Sequence, residues 1–190
     1  MKIIAHRAND KDNLKENSKK AIINALNKNY IDGVEFDIRI TKDNNFVLNH
    51  NSIYNNKLIK NTKLKDIKEL DILSDVLNDI KSNKIILIDI KIEDKDYISL
   101  ANLLIKELKK YKLNIYLCSF NYDLCLYLKN KTKHKIGLLI SGVINKNKNY
   151  DIFDFISIKY TEYKEVNKTI FVWTINEEKV LKNLLLKMFT

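Results

Sequence analysis

The sequence predicts an α/β fold of the TIM-type (β/α) barrel class. Short β-branched runs alternate along the chain with segments of helical spacing, which implies β-α units and a parallel sheet buried on both faces. Polar and charged residues fall at the C-terminal ends of several different strands, where a β/α barrel builds its site. Neither G-x-G-x-x-G nor G-x-x-x-x-G-K-[ST] occurs, which argues against the nucleotide-binding doubly wound folds.

Seven runs read as core strands: "KIIAHR" (2–7), "GVEFDIRIT" (33–41), "KIILIDIK" (84–91), "NIYLCSF" (114–120), "KIGLLIS" (135–141), "DFISIKY" (154–160) and "TIFVWTI" (169–175). Between most of them lie helical patterns. "ENSKKAIINALNKN" sets Ala21, Ile22, Ala25 and Leu26 on one face, and "DYISLANLLIKELKKY" does so with Ile98, Ala101, Leu104, Ile105 and Leu108. "SDVLNDIK", "YDLCLYLKNK" and "EEKVLKNLLLK" complete the set. No repeat or linker divides the chain, so residues 1–190 are expected to form one domain.

Composition narrows the function. The formal charge is +10, yet only Arg7 and Arg39 are arginines and the remaining basic residues are lysines spread along the chain. Readers of base edges favour arginine, whose planar fork matches guanine, so no nucleic-acid partner is expected. Cys118 and Cys125 form neither a disulfide framework nor a zinc pattern and suit a reducing cytosol, hence a cytoplasmic location. No apolar run approaches the ~20 residues of a membrane span.

The chemistry concentrates in "GVEFDIRITKDNNFVLNHN" (33–51). Side chains alternate along a strand, so Glu35, Asp37 and Arg39 share a face, as do Leu87, Asp89 and Lys91. With both faces turned inward, Glu35, Asp37 and Asp89 converge at the mouth. An oxygen-only set of that size suits a hard cation, Mg²⁺ or Ca²⁺, rather than zinc; the competing reading pairs the carboxylates with Lys91 and Arg39. His6 and His50 lie beside the cluster and can act as acid and base across one reacting group. Arg7 suits a two-pronged grip on phosphate, or else a salt bridge to Glu16 or Asp37. Lys91 offers a second positive charge to phosphoryl oxygens.

Taken together, "AHR", "ENS", "GVEFDIRITKDNNFVLNHN", "IDIK", "CSF" and "FVWTIN" resemble the glycerophosphodiester phosphodiesterase family, in its order and roughly its spacing from residue 3 to about 178. The resemblance implies hydrolysis of a small-molecule glycerophosphodiester to glycerol 3-phosphate and an alcohol, in lipid metabolism, with a divalent cation. Carried over by position, His6 and His50 become the acid–base pair, Glu35, Asp37 and Asp89 the metal ligands, and Arg7 and Lys91 the phosphate contacts. Glu16 and Asn17 support the site at the start of the first helix. Trp173 lies near the glycerol or alcohol part, or else in the core.

Several positions depart from the family pattern. Ala8 stands where glycine is usual, Asp89 where Glu is usual, and Asn51 where Asp is usual. The segment after His50 is a reduced insertion around residues 51–73. Only "TEYKEVNK" joins the sixth and seventh strands, and the last strand is missing, so the barrel is expected to be shortened. Open edges would imply a homo-oligomer across the gap or a copy with reduced activity. The alternative function is a catalytically impaired member that binds a phosphorylated ligand or partner.

Overall fold

The computed structural model describes residues 1–9, 12–93, 96–142, 149–163 and 168–188. Its frame is a curled sheet of seven parallel strands added in chain order: β1 (Ile4–Ala5), β2 (Gly33–Ile40), β6 (Ile85–Ile90), β7 (Ile115–Ser119), β8 (Lys135–Ile140), β9 (Phe155–Lys159) and β10 (Thr169–Trp173). Each strand lies beside its predecessor, as in a β/α barrel, and the fold is a shortened TIM barrel. All seven predicted runs are strands, the first trimmed to two residues because His6–Ala8 turns away as a 3-10 segment. Among the described residues β1 and β10 are not paired, yet Thr174 Oγ1, just beyond β10, lies 3.5 Å from His6 Nδ1, just beyond β1. The curl therefore brings the ends of the first and last strands together at the mouth. The connection between β9 and β10 begins as a 3-10 turn at Tyr160–Glu162 that ends at Tyr163, and residues 164–167 of "TEYKEVNK" lie outside the described residues.

The helices cover the outer face. They are α1 (Lys19–Leu26), α2 (Leu73–Asp79), α3 (Tyr97–Leu108), α4 (Tyr122–Lys131) and α5 (Glu178–Met188). Ser18, Asp96 and Asn121 each accept a hydrogen bond from the backbone N–H three residues on, which fixes the starts of α1, α3 and α4. α1 buries Ala21, Ile22, Ala25 and Leu26, as its spacing predicts. In α3 the buried stripe is Leu100, Ala101, Leu104 and Leu108, while Ile98 is exposed. The expected face is corrected by about one residue, because two overlapping apolar stripes fit the same 3.6-residue period and packing selects one.

The barrel interior is a separate layer. Ile85, Leu87, Cys118, Leu139 and Phe155 form a buried cluster, with Tyr116, Phe171 and Trp173 packed on it. Phe155 lies 5.0 Å from the ring of Phe171 and 5.6 Å from that of Tyr116. Gly137 makes that arrangement possible, since a Cβ there would stand 2.1 Å from the Phe155 ring.

The pattern of strands did not predict one feature that matters for the site. After β2 the chain turns at 41–45 and returns as β3 (Phe46–Leu48), antiparallel to β2 with Ile38 opposite Leu48. A two-stranded hairpin follows, β4 (Ile53–Tyr54) and β5 (Lys57–Leu58). Val47, Ile59, Ile67 and Leu70 form a small core of their own beneath it.

Candidate active site at the mouth of the barrel

Strand register assembles the carboxylates. Asp37 and Asp89 are direct Cα partners on β2 and β6, and Glu35 pairs with Leu87 one inward position below. Oxygens of Glu35, Asp37 and Asp89 all lie within 4.8 Å of one another. Three carboxylates so close in a buried place repel unless cations balance them. Lys91 Nζ supplies part of the balance, 3.0 Å from Asp37 Oδ1 and 2.5 Å from Asp89 Oδ2. Arg39, on the same strand face, does not join them; it donates to the carbonyl oxygen of His50 and to Glu93.

The three acids differ in environment. Burial, reinforced by the charge of Asp37, pushes the Glu35 carboxyl well above the usual range. Burial raises Asp89 to about 6 against the pull of Lys91. Burial also opposes ionisation of Asp37, but Lys91 and the amide of Asn17 outweigh it and hold Asp37 below its ordinary value. Against burial, Asp89 and Asp37 keep Lys91 protonated beyond the ordinary lysine range.

Asn17 earns its place through a two-way clamp. Its Nδ2 donates to Asp37 Oδ2 at 2.8 Å, and the Asp37 N–H donates to Asn17 Oδ1 at 2.9 Å. Its own N–H donates to the Arg7 carbonyl, which ties the loop after β1 to the entry of α1. Arg7 in turn uses its N–H on Glu35 Oε2 at 2.8 Å and its Nη1 on Glu16 Oε1 at 3.0 Å, with Nε 3.7 Å from Asp37 Oδ2. Both salt-bridge partners weighed from the sequence are thus present. The Arg7 Nε is buried without a hydrogen-bond partner. Arg7 and Ala8 both have φ +52°, so at position 8 the chain carries a Cβ in the left-handed region that glycine would enter without strain.

The histidines flank this cluster. His6 Nε2 lies 3.9 Å from Glu35 Oε2, and its Nδ1 faces Thr174 Oγ1. Burial, then the charge of Arg7, lowers the His6 pKa. The hairpin return delivers His50: Asn49 N–H donates to the Asp37 carbonyl at 3.2 Å, and Arg39 grips the His50 carbonyl. His50 Nδ1 is 3.0 Å from Asn51 Oδ1, so Asn51 still offers the ring an oxygen although it carries no charge. Trp173 is half-buried on the interior cluster, its Nε1 buried without a hydrogen-bond partner, and its ring meets that of Phe120 edge-on at 6.1 Å. Phe120 is exposed and lies 5.7 Å from Lys91 Nζ.

Every residue singled out from the sequence lies on this rim or directly supports it. Thr174 and Phe120 also belong there and were given no role, while Arg39, weighed as an ion-pair partner of the carboxylates, instead holds the His50 carbonyl and Glu93. The charge of Arg39 within an apolar strand was a visible signal. Thr174 and Phe120 each sit one residue from a chosen position, but which way they face depends on how the barrel curls.

The site is chemically ready for a hard dication. All three donors are carboxylate oxygens, and Asp89 Oδ1 is buried with no hydrogen-bond partner, an unmet acceptor on a residue of the triad. The triad fits such an ion.

The chain is thus a β/α barrel with clustered acids and two histidines at its mouth. The chain belongs to the glycerophosphoryl diester phosphodiesterase family, whose model matches residues 6–185. It is accordingly a phosphoric diester hydrolase in class. Solved structures share the fold across nearly the whole chain. A glycerophosphodiester phosphodiesterase from Parabacteroides distasonis is 23% identical, with TM-score 0.85, covering 97% of this chain and 88% of that one. A phosphodiesterase from Oleispira antarctica, in complex with the product sn-glycerol-3-phosphate, is 18% identical with TM-score 0.86, covering 98% and 90%. A glycerophosphodiester phosphodiesterase from Thermotoga maritima is 24% identical with TM-score 0.75, covering 97% and 91%. A search of curated proteins found no match. Among the described residues no helix is long and apolar enough to cross a membrane.

Proposed function

We propose that the protein hydrolyses glycerophosphodiesters to glycerol 3-phosphate and an alcohol, with a divalent cation held by Glu35, Asp37 and Asp89 and with His6 and His50 as the acid–base pair. The observation that carries the reading is the meeting of three carboxylates and two imidazoles at one end of the sheet. When bound, Mg²⁺ or Ca²⁺ polarises the phosphoryl oxygens and favours the ionised nucleophile.

The chain's own groups do the rest. Lys91 and Arg7 place positive charge beside the same cluster and orient the phosphodiester. Thr174 holds Nδ1 of His6 and Asn51 holds Nδ1 of His50, which leaves Nε2 of each ring for proton transfer. One imidazole takes the proton from the attacking oxygen, of water or of the substrate's neighbouring hydroxyl. The attacking oxygen forms a new P–O bond as the P–O bond to the alcohol breaks, and the other imidazole delivers a proton to the departing oxygen. Where the substrate's own hydroxyl attacks, the product is a cyclic phosphate, which water then opens by the same proton transfers to glycerol 3-phosphate. Asn17 and Glu16 keep Asp37 and Arg7 in place. Trp173 and Phe120 form the apolar wall against which the glycerol or alcohol part rests.

Purified protein incubated with glycerophosphocholine or glycerophosphoethanolamine should release glycerol 3-phosphate, and EDTA should abolish the release. His6→Ala and His50→Ala should each lower kcat by about 10²–10⁴-fold. Turnover that survives both substitutions together would overturn the acid–base assignment.

A further inference from the structure

The turn between β2 and β3 and the segment 57–66 border an open groove of about 460 Å³. Four lysines line it, Lys42, Lys57, Lys63 and Lys65, against one acid, Asp66. The backbone fixes its shape: Lys42 N–H donates to the Thr62 carbonyl, and Leu64 N–H donates to Asp43 Oδ1. Lys57 Nζ is tied to the Asp66 carbonyl at 3.1 Å.

The other three ammonium groups are in a different state. Many lysines of this chain are matched to acids, such as Lys19 to Asp79, Lys110 to Glu107 and Lys129 to Asp154. Among the described residues, the ammonium groups of Lys42, Lys63 and Lys65 have no ion-pair or hydrogen-bond partner. Asp43, next to Lys42 in the chain, has its Oδ1 engaged by Thr41 Oγ1 and the Leu64 N–H. Like charges gathered around one concavity repel, and a multiply charged anion relieves that repulsion. Lysine ammoniums act as point charges toward phosphate oxygens and need no planar partner.

We propose that this groove is an anion site for a phosphate-class group, separate from the carboxylate centre. The groove's lining shares no residue with the carboxylate triad or with His6 and His50, so it is a surface of its own beside the centre proposed to cleave the phosphodiester. It takes a second anionic group, carried by a soluble phosphorylated molecule or by a phospholipid headgroup. The inference does not depend on the catalytic reading.

The test uses the full chain in EDTA at low salt, with calorimetry of inorganic pyrophosphate and co-sedimentation with vesicles of equal parts phosphatidylcholine and phosphatidylglycerol. The triple variant K42Q/K63Q/K65Q changes exposed side chains only. It should weaken binding of at least one probe by about tenfold or more. K81Q/K106Q/K112Q removes the same charge from other exposed positions and should leave affinity within about twofold. Loss of pyrophosphate binding identifies a soluble anion, and loss of vesicle binding alone identifies a headgroup. Equal loss in both triple variants, unchanged binding in the groove variant, or no binding of either probe by the native chain would each overturn the proposal.

Discussion

One row of strand register joins two very different halves of the barrel. It runs from Asp37 to Asp89, then through Cys118 and Gly137 to Phe155. On the β2–β6 side the inward positions are carboxylates crowded within reach of one lysine. On the β8–β9 side the same row is a glycine filled by a phenyl ring. The first half carries electrostatic cost for chemistry, and the second supplies packing that tolerates it. Stability and activity should therefore respond in opposite ways to substitutions at the two ends.

Among the strand residues of the two halves, the largest effect on activity is expected at Glu35. Glu35→Gln should lower kcat by about 10²–10³-fold, because a preorganised charge is lost. Its effect on stability has the opposite sign. Burial raises the folded-state pKa, so the ionised carboxylate weakens the fold at neutral pH, and the neutral amide removes that cost. In EDTA at pH 7 the variant should melt at or above the temperature of the native chain. A fall in Tm would break the contrast.

Gly137→Ala should do the reverse. Its Cβ would meet the Phe155 ring, so overpacking of about 1–3 kcal/mol is expected in urea unfolding. Turnover per folded molecule should stay near the native value. Loss of activity without loss of stability would show that the aromatic half also takes part in the chemistry.

Asp154, at the entry to β9, gives a smaller effect that calibrates the stability arm. Burial works against its ionisation, yet hydrogen bonds from Lys129 Nζ and the Ile136 N–H, with the charge of Lys129 and Lys135, hold its pKa below the ordinary value. Its contribution is present above the unfolded pKa and disappears as pH falls through the lower folded one. Asp154→Asn should cost about 1 kcal/mol at pH 7 and little at pH 2, as read by denaturant midpoints. A gap that persists at pH 2 would assign the effect to shape rather than charge.

Much of this contrast was legible in the sequence. The seven strands follow from β-branched runs, because a parallel sheet buried on both faces demands continuous apolar residues. Glu35, Asp37 and Asp89 were visible as charges at alternating positions inside such runs. Other features depend on distance in space rather than along the chain. The β3 return that carries His50 back to Asp37 is set by a tight turn rich in polar residues, which reads locally as an ordinary loop. The meeting of Thr174 with His6 spans nearly the whole chain and follows only from the curl of the sheet. The α3 face was displaced because Ile98 and Leu100 both satisfy the helical period.

The central claim is that Glu35, Asp37 and Asp89 share one divalent ion. Calorimetric titration of the EDTA-stripped chain with Ca²⁺ and with Mg²⁺ addresses it without reference to turnover. One ion should bind per chain, and Asp89→Asn should weaken it by about tenfold or more, as expected when one of three carboxylate charges is lost. Heat of binding absent for both ions, or unchanged in Asp89→Asn, would contradict the account.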